Sequence, residues 1–102
     1  MKLVDLAYAR SGDKGDVSNI GVIAKDPADF ERIGRALTPQ RIKDHFQEWV
    51  LGDVTVYPLP NIHSYNVVCE RSLGGGATST VRFDQTGKAM STALLRMDVS
   101  DV

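Results

Sequence analysis

Cysteine is nearly missing from this chain. Its single copy, Cys69, cannot close a disulfide within the molecule. Long apolar runs are missing too. None approaches the roughly 20 residues that span a bilayer, and "MKLVDLAYAR" breaks its apolar stretch with Asp5, unlike a signal-peptide core. Neither sign of charge dominates: 12 Lys and Arg stand against 13 Asp and Glu, a formal charge of −1. A domain built to grip nucleic acid usually carries a basic surplus, and so does one that lies on an anionic membrane. Histidine occurs only as His45 and His63, without the spacing of a metal-ligand pair. These absences predict a cytoplasmic, reducing location, no nucleic-acid or membrane partner, no metal and no cofactor.

What is present is ordinary globular material. With 102 residues, 42% hydrophobic and 25% charged, the chain suits one domain, 1–102, with a small core. A small core makes a homo-oligomer or a larger partner the expectation. Residues 3–9, "LVDLAYA", read as a strand. "IGVIAK", 20–25, reads as a central strand buried on both faces. Asp26 and Pro27 start a helix containing Phe30, Ile33 and Leu37. Thr38 and Pro39 start a second, whose apolar stripe is Ile42, Phe46, Trp49 and Val50 and whose stop is Gly52. "DVTVYPLP", 53–60, reads as a strand that Pro58 and Pro60 confine to an edge or end.

The segment 61–73, "NIHSYNVVCERSL", is two-sided. Its β-branched pair suggests a strand, but Ile62, Tyr65, Val68, Cys69 and Leu73 fall at helical spacing, and a helix is favoured. "ATSTVRFD", 77–84, alternates as a half-exposed strand, "DQTGK" is a turn, and "AMSTALLRMDV" holds a helical turn and a short last strand near Met97 to Val99. The order predicts an α+β two-layer sandwich with a mixed or antiparallel sheet and helices on one face.

One stretch is too polar for a plain connection. "ARSGDKGDVSN", 9–19, joins the first two expected strands. It reads as a well-made turn, in which Gly12 and Gly15 allow unusual dihedrals and Asp13, Asp16, Ser18 and Asn19 bond the backbone. It reads equally as a site: backbone amides converging on an anion, with Arg10 and Lys14 supplying positive charge for a carboxylate or phosphate. Asp13 and Asp16 then pair with the cations, act as acid or base, or hold a metal. The run lacks the Gly-Lys-Ser/Thr of a P-loop and the closing Glu of an EF-hand. Gly74, Gly75 and Gly76 read first as a helix cap and second as another cradle. If strands 3–9, 20–25 and 77–84 lay side by side, they and Asn61 would complete a pocket with Arg10 and Lys14. His45 reads as surface, His63 as exposed or hydrogen-bonded, and Cys69 as a small core residue.

The long motifs carry a resemblance. "LAYARSGDKGDVSNIGVIAKDP", "LPNIHSYNVV" and "SLGGGATSTVRFDQTGKAMSTALLRMDV" together resemble the small C-terminal domain of acyclic terpene utilisation protein A (AtuA), over nearly the whole chain. The resemblance implies a ferredoxin-like fold and a setting in the catabolism of branched, terpene-like acids handled as CoA esters. It implies no known reaction. Arg10, Ser11, Gly12, Asp13, Lys14, Gly15, Asp16 and Asn19 all match the family's run, which favours a binding or interface role. The resemblance does not extend to the large domain that precedes this one in the full protein. The expected function is therefore an accessory subunit or binding domain for an AtuA-like large chain, with an acyl-CoA or carboxylate ligand at Arg10, Ser11, Gly12, Lys14, Gly15, Asn19, Asn61 and Gly74 to Gly76. Two alternatives stand beside it. One is an independent small hydratase, isomerase or lyase using Asp13 or Asp16 as base, with Lys14 and Arg10 holding the anion. The other is a structural homo-oligomer joined through exposed sheet surface at Val54, Tyr57 and Leu59.

Overall fold

A computed structural model describes residues 1–14, 17–47, 50–71 and 90–102, with the backbone alone for 13 and 14. Four strands form one antiparallel sheet: β1 (Ala7–Lys14), β2 (Val17–Ala24), β3 (Val54–Leu59) and β4 (Ser64–Glu70), in the spatial order β1-β2-β4-β3. Helices α1 (Phe30–Ala36) and α2 (Pro39–Phe46) follow β2, and residues 90–95 form a third, α3. The result is the expected two-layer α+β sandwich.

The helix starts are legible as local chemistry. The Asp26 carboxylate accepts from Ala28 N at 3.0 Å and Pro27 opens a 3-10 turn that leads into α1. Thr38 Oγ1 accepts from Arg41 N at 3.2 Å and Pro39 is the first residue of α2. The end of α2 is not at Gly52. Gln47 turns to a φ of 53° and stops the helix at Phe46. Gly52 serves another purpose: a side chain there would meet the Glu70 carbonyl oxygen at 2.7 Å. Ile42, Phe46 and Val50 of the expected stripe are buried, while Trp49 lies outside the described residues.

Four expectations are corrected. Residues 3–5 form a 3-10 turn, closed by the Asp5 carboxylate accepting from Lys2 N at 2.9 Å, so β1 begins only at Ala7. β2 is central but buried on one face: Ser18, Ile20 and Val22 point inward, whereas Asn19 and Ile23 are exposed. The described helices pack on that inner face. The segment 61–73 holds strand β4, not a helix, because Tyr65, Val67 and Cys69 alternate into the core between β2 and β3. Pro60 to Ile62 form the tight turn before it, closed by His63 in the left-handed region. β3 is an edge strand among the described residues, as its prolines require. The strand expected at 77–84 and the turn after it lie outside the described residues. The last expected strand is a single bridge, Lys2 to Asp98, flanked by Leu3 N to Met97 O and Val99 N to Met1 O, both 2.9 Å.

Tyr65 locks α1 onto the sheet. Its ring stacks on Phe30 with centroids 4.6 Å apart, and its hydroxyl donates to the Phe30 carbonyl at 2.8 Å. Burial, and second the charge of Glu31, raises the phenol above its ordinary pKa and keeps that donor protonated. Gly34 makes room: a side chain there would collide with the Tyr65 hydroxyl and lie 3.0 Å from Cζ. His45 is not free surface. Its Nε2 bonds the Ala93 carbonyl at 2.6 Å and joins α2 to α3. Arg41 adds a fork to the Asp101 carboxylate, at 2.8 and 2.9 Å, from α2 to the last residues.

Gly34→Ala therefore tests the lock. Alanine raises helix propensity by about 1 kcal/mol, but the collision and the lost Tyr65 bond cost more, about 2–4 kcal/mol. Thermal denaturation should show a lower midpoint. An unchanged or higher one would mean that Tyr65 swings clear at little cost.

Candidate functional site

The polar motif is not a loop. Its described residues belong to β1 and β2, paired Ala9 with Val22, Arg10 with Gly21, Ser11 with Ile20, Gly12 with Asn19, Asp13 with Ser18 and Lys14 with Val17. Gly15 and Asp16, between the two strands, lie outside the described residues. Glycine and aspartate are poor strand formers, which is why the run reads as a connection. A strand with one wet face accepts them.

The phase of the ladder decides what the backbone can offer. Lys25 N donates to Leu6 O at 2.9 Å and Ala24 N to His63 O at 3.0 Å. In antiparallel pairs the bonded positions alternate. Odd residues of β2 therefore bond β1, and even residues bond β4. Gly12 and Asn19 form one of the bonded pairs, so the Gly12 amide is spent on the Asn19 carbonyl. It has no amide left to join an anion cradle.

Side chains alternate in the same way. Ser11 points toward the core. Arg10, Gly12 and Asn19 lie on the outer face, where Arg10 and Asn19 are exposed. Asn61 does not join them. It sits in the turn after β3, at the sheet end marked by Tyr8, Ile23, Ser64 and Leu59, while Lys14 and Val17 mark the opposite end. β2 has β1 on one side and β4 on the other, so both its edges are occupied by described strands. Gly74, Gly75 and Gly76 lie outside the described residues.

The outer face reads as a lattice. One row is Tyr8, Ile23, Ser64, Leu59; the next is Arg10, Gly21, Asn66, Tyr57; the next is Gly12, Asn19, Val68, Thr55. Tyr8, Ile23, Tyr57 and Leu59 are among the large apolar residues left exposed, and Lys25 Nζ stands 5.1 Å from the centre of the Tyr8 ring. Sequence reasoning weighed Val54, Tyr57 and Leu59 here: Val54 instead points inward and is buried in the core, and Tyr8 and Ile23 were missed. Their alternation with core residues was the available signal.

Other reactive groups stand apart. His63 and Cys69 are separated by nearly the whole of β4, about 20 Å. Cys69 faces the core, opposite Ser18, and burial pushes its thiol up to about 11 despite a hydrogen bond with Ser18. It is a core residue, not a nucleophile. No group of three or more His, Cys, Asp or Glu among the described residues is arranged to hold a metal ion. A cleft of about 250 Å³ between Lys2, Val4, Thr92, Leu95 and Arg96 includes none of the motif residues. No helix among the described residues is long and apolar enough to cross a membrane.

The Cys69 thiol predicts an alkaline effect. A raised pKa favours the folded state below the ordinary thiol value of 9.0, and that stability is lost as pH climbs toward about 11. Each pH unit in that window removes at most about 1.4 kcal/mol. Urea unfolding at several pH values should show a shallower decline in Cys69→Ala than in the parent, and the parent thiol should resist a thiol reagent until the chain unfolds. Fast labelling of the native protein would contradict the burial.

A family model described as the AtuA ferredoxin-like domain matches residues 1–100. No curated protein and no solved structure matches the chain. The match spans every described strand and helix and agrees with an antiparallel α+β sandwich. The chain belongs to the AtuA ferredoxin-like domain family, and its fold is ferredoxin-like.

Proposed function

We propose that this chain is an accessory binding domain for an AtuA-like large chain, in the catabolism of branched, terpene-like acids carried as CoA esters or free carboxylates. The motif at 10–19 acts in it as an interface element. The observation that carries this reading is the pairing of Gly12 with Asn19, which builds the motif into the sheet and leaves Arg10 and Asn19 exposed. Strand pairing fixes these residues in an extended array that can meet another surface. The family match supports the large chain as that surface. Its docking point in this reading is the hairpin's far end, around Lys14 and Val17. An autonomous catalytic reading has less support: the exposed Arg10 lies in a row with Gly21, Asn66 and Tyr57, none of which is an acid or base suited to neutral pH.

Co-expression with an AtuA-like large chain tests the reading. A tagged copy of this domain should retain the large chain through gel filtration, and Lys14→Glu should weaken retention about tenfold. Independent elution of the two proteins would overturn it. So would turnover of CoA thioesters by the domain alone that disappears in Asp16→Asn.

A further inference from the structure

The outer face of the sheet has a use of its own. We propose that it joins two copies of this chain, face to face, about a two-fold axis that runs parallel to the strands between β2 and β4.

The apolar end of the face supplies the driving force. Tyr8, Ile23, Tyr57 and Leu59 retain 62%, 44%, 51% and 41% of their surface. Tyr8 pairs with Ile23, Ile23 and Leu59 both pair with Ser64, and Tyr57 precedes Leu59 by two residues on the same strand. Ser64 keeps only 4% of its surface, so the apolar cover is continuous across the sheet. Apolar residues gathered at one end of a face, rimmed by polar ones, are the pattern of an interaction surface.

The lattice fits itself. An axis along the strands lays β1 over β3 of the second copy and β2 over its β4, row on row. Tyr8 then meets Leu59, and the Arg10 guanidinium meets the Tyr57 ring, a cation–π arrangement. Gly21 meets Asn66, so a residue without a side chain receives one that needs room. Each contact occurs twice, as a two-fold interface requires. An axis across the strands would instead set Ile23 on Asn19 and Leu59 on Thr55, leaving the apolar end unmatched. Aligned sheets cross at about 30°, which displaces the edge strands by about one residue, within reach of Tyr, Arg and Leu.

The glycines of this face point the same way. A side chain at Gly12 would meet nothing within 4 Å, and at Gly21 nothing nearer than 3.9 Å. The fold itself requires neither, and glycine weakens a strand. Close approach of a second surface gives both a reason. The area suits a modest interface. Four strands about 4.8 Å apart and seven residues long, at about 3.4 Å each, cover about 19 by 24 Å. Two such faces come to about 900 Å² before side-chain relief is counted, near the low end for specific interfaces. The axis also brings both hairpin ends to one pole of the dimer, where a large chain would meet two of them.

The test uses this chain alone, so it stands or falls separately from the function proposed above. Sedimentation should show a dimer at micromolar concentration. The double variant Ile23→Asp with Tyr57→Asp should weaken association at least about 100-fold, while far-UV circular dichroism stays native, because both side chains are exposed. A second variant fixes the geometry. In a Cys69→Ala background, Tyr8→Cys with Leu59→Cys should give a covalent dimer with a bis-maleimide of about 8 Å span, because packed sheets lie about 10 Å apart, beyond the reach of a direct disulfide. Within one chain those positions are three strands apart, about 14 Å, too far for the same reagent. A parent that is monomeric at about 100 μM, a dimer that survives the aspartates, or a dimer that gives no cross-link would each overturn the proposal.

Discussion

The backbone of β2 divides its hydrogen bonds between two neighbours, and most of the molecule follows from that division. Odd residues bond β1 and even residues bond β4, as the Lys25 to Leu6 and Ala24 to His63 bonds fix. The same alternation sends Ser18, Ile20 and Val22 under the helices and Asn19, Gly21 and Ile23 to the other side. A shift of one residue would exchange the two sets and bring Ile20 and Val22 into water. Register, core and outer face are therefore one constraint.

That constraint also limits what the family's most recognisable motif can do. A glycine whose amide is bonded across a ladder cannot donate to an anion as well. Gly12 is such a residue, and Arg10, two positions before it, projects from the outer face in a described row without an acid or base. Among the described residues the helical layer serves packing. Its polar side chains tie element to element: Tyr65 to α1, His45 to α3 and Arg41 to Asp101.

The outer face and the hairpin end suit different partners. The face is apolar at one end and carries its glycines in the two rows that follow, which suits close packing of a matching sheet. The hairpin end carries Lys14 and Val17 away from that patch. A domain built this way can associate with itself through the outer face and still present the hairpin end of the motif, around Lys14 and Val17, to a larger chain.

Local chemistry was legible in the sequence wherever one residue decides the matter. Asp26 with Pro27 and Thr38 with Pro39 start helices by capping and fixed dihedrals, which need no tertiary partner, and Pro58 bars β3 from a central position. The long motifs likewise identified the family. The tertiary structure alone decided the rest. The spacing of Ile62, Tyr65, Val68 and Cys69 fits a helix as well as a strand, and only the ladders to β2 and β3 select the strand. The run 9–19 reads as a loop from its glycines and aspartates, because sequence shows polarity but not which face of a sheet is left open to water. Whether a backbone amide is free or already bonded depends on the phase of a neighbouring strand, and no single segment encodes that.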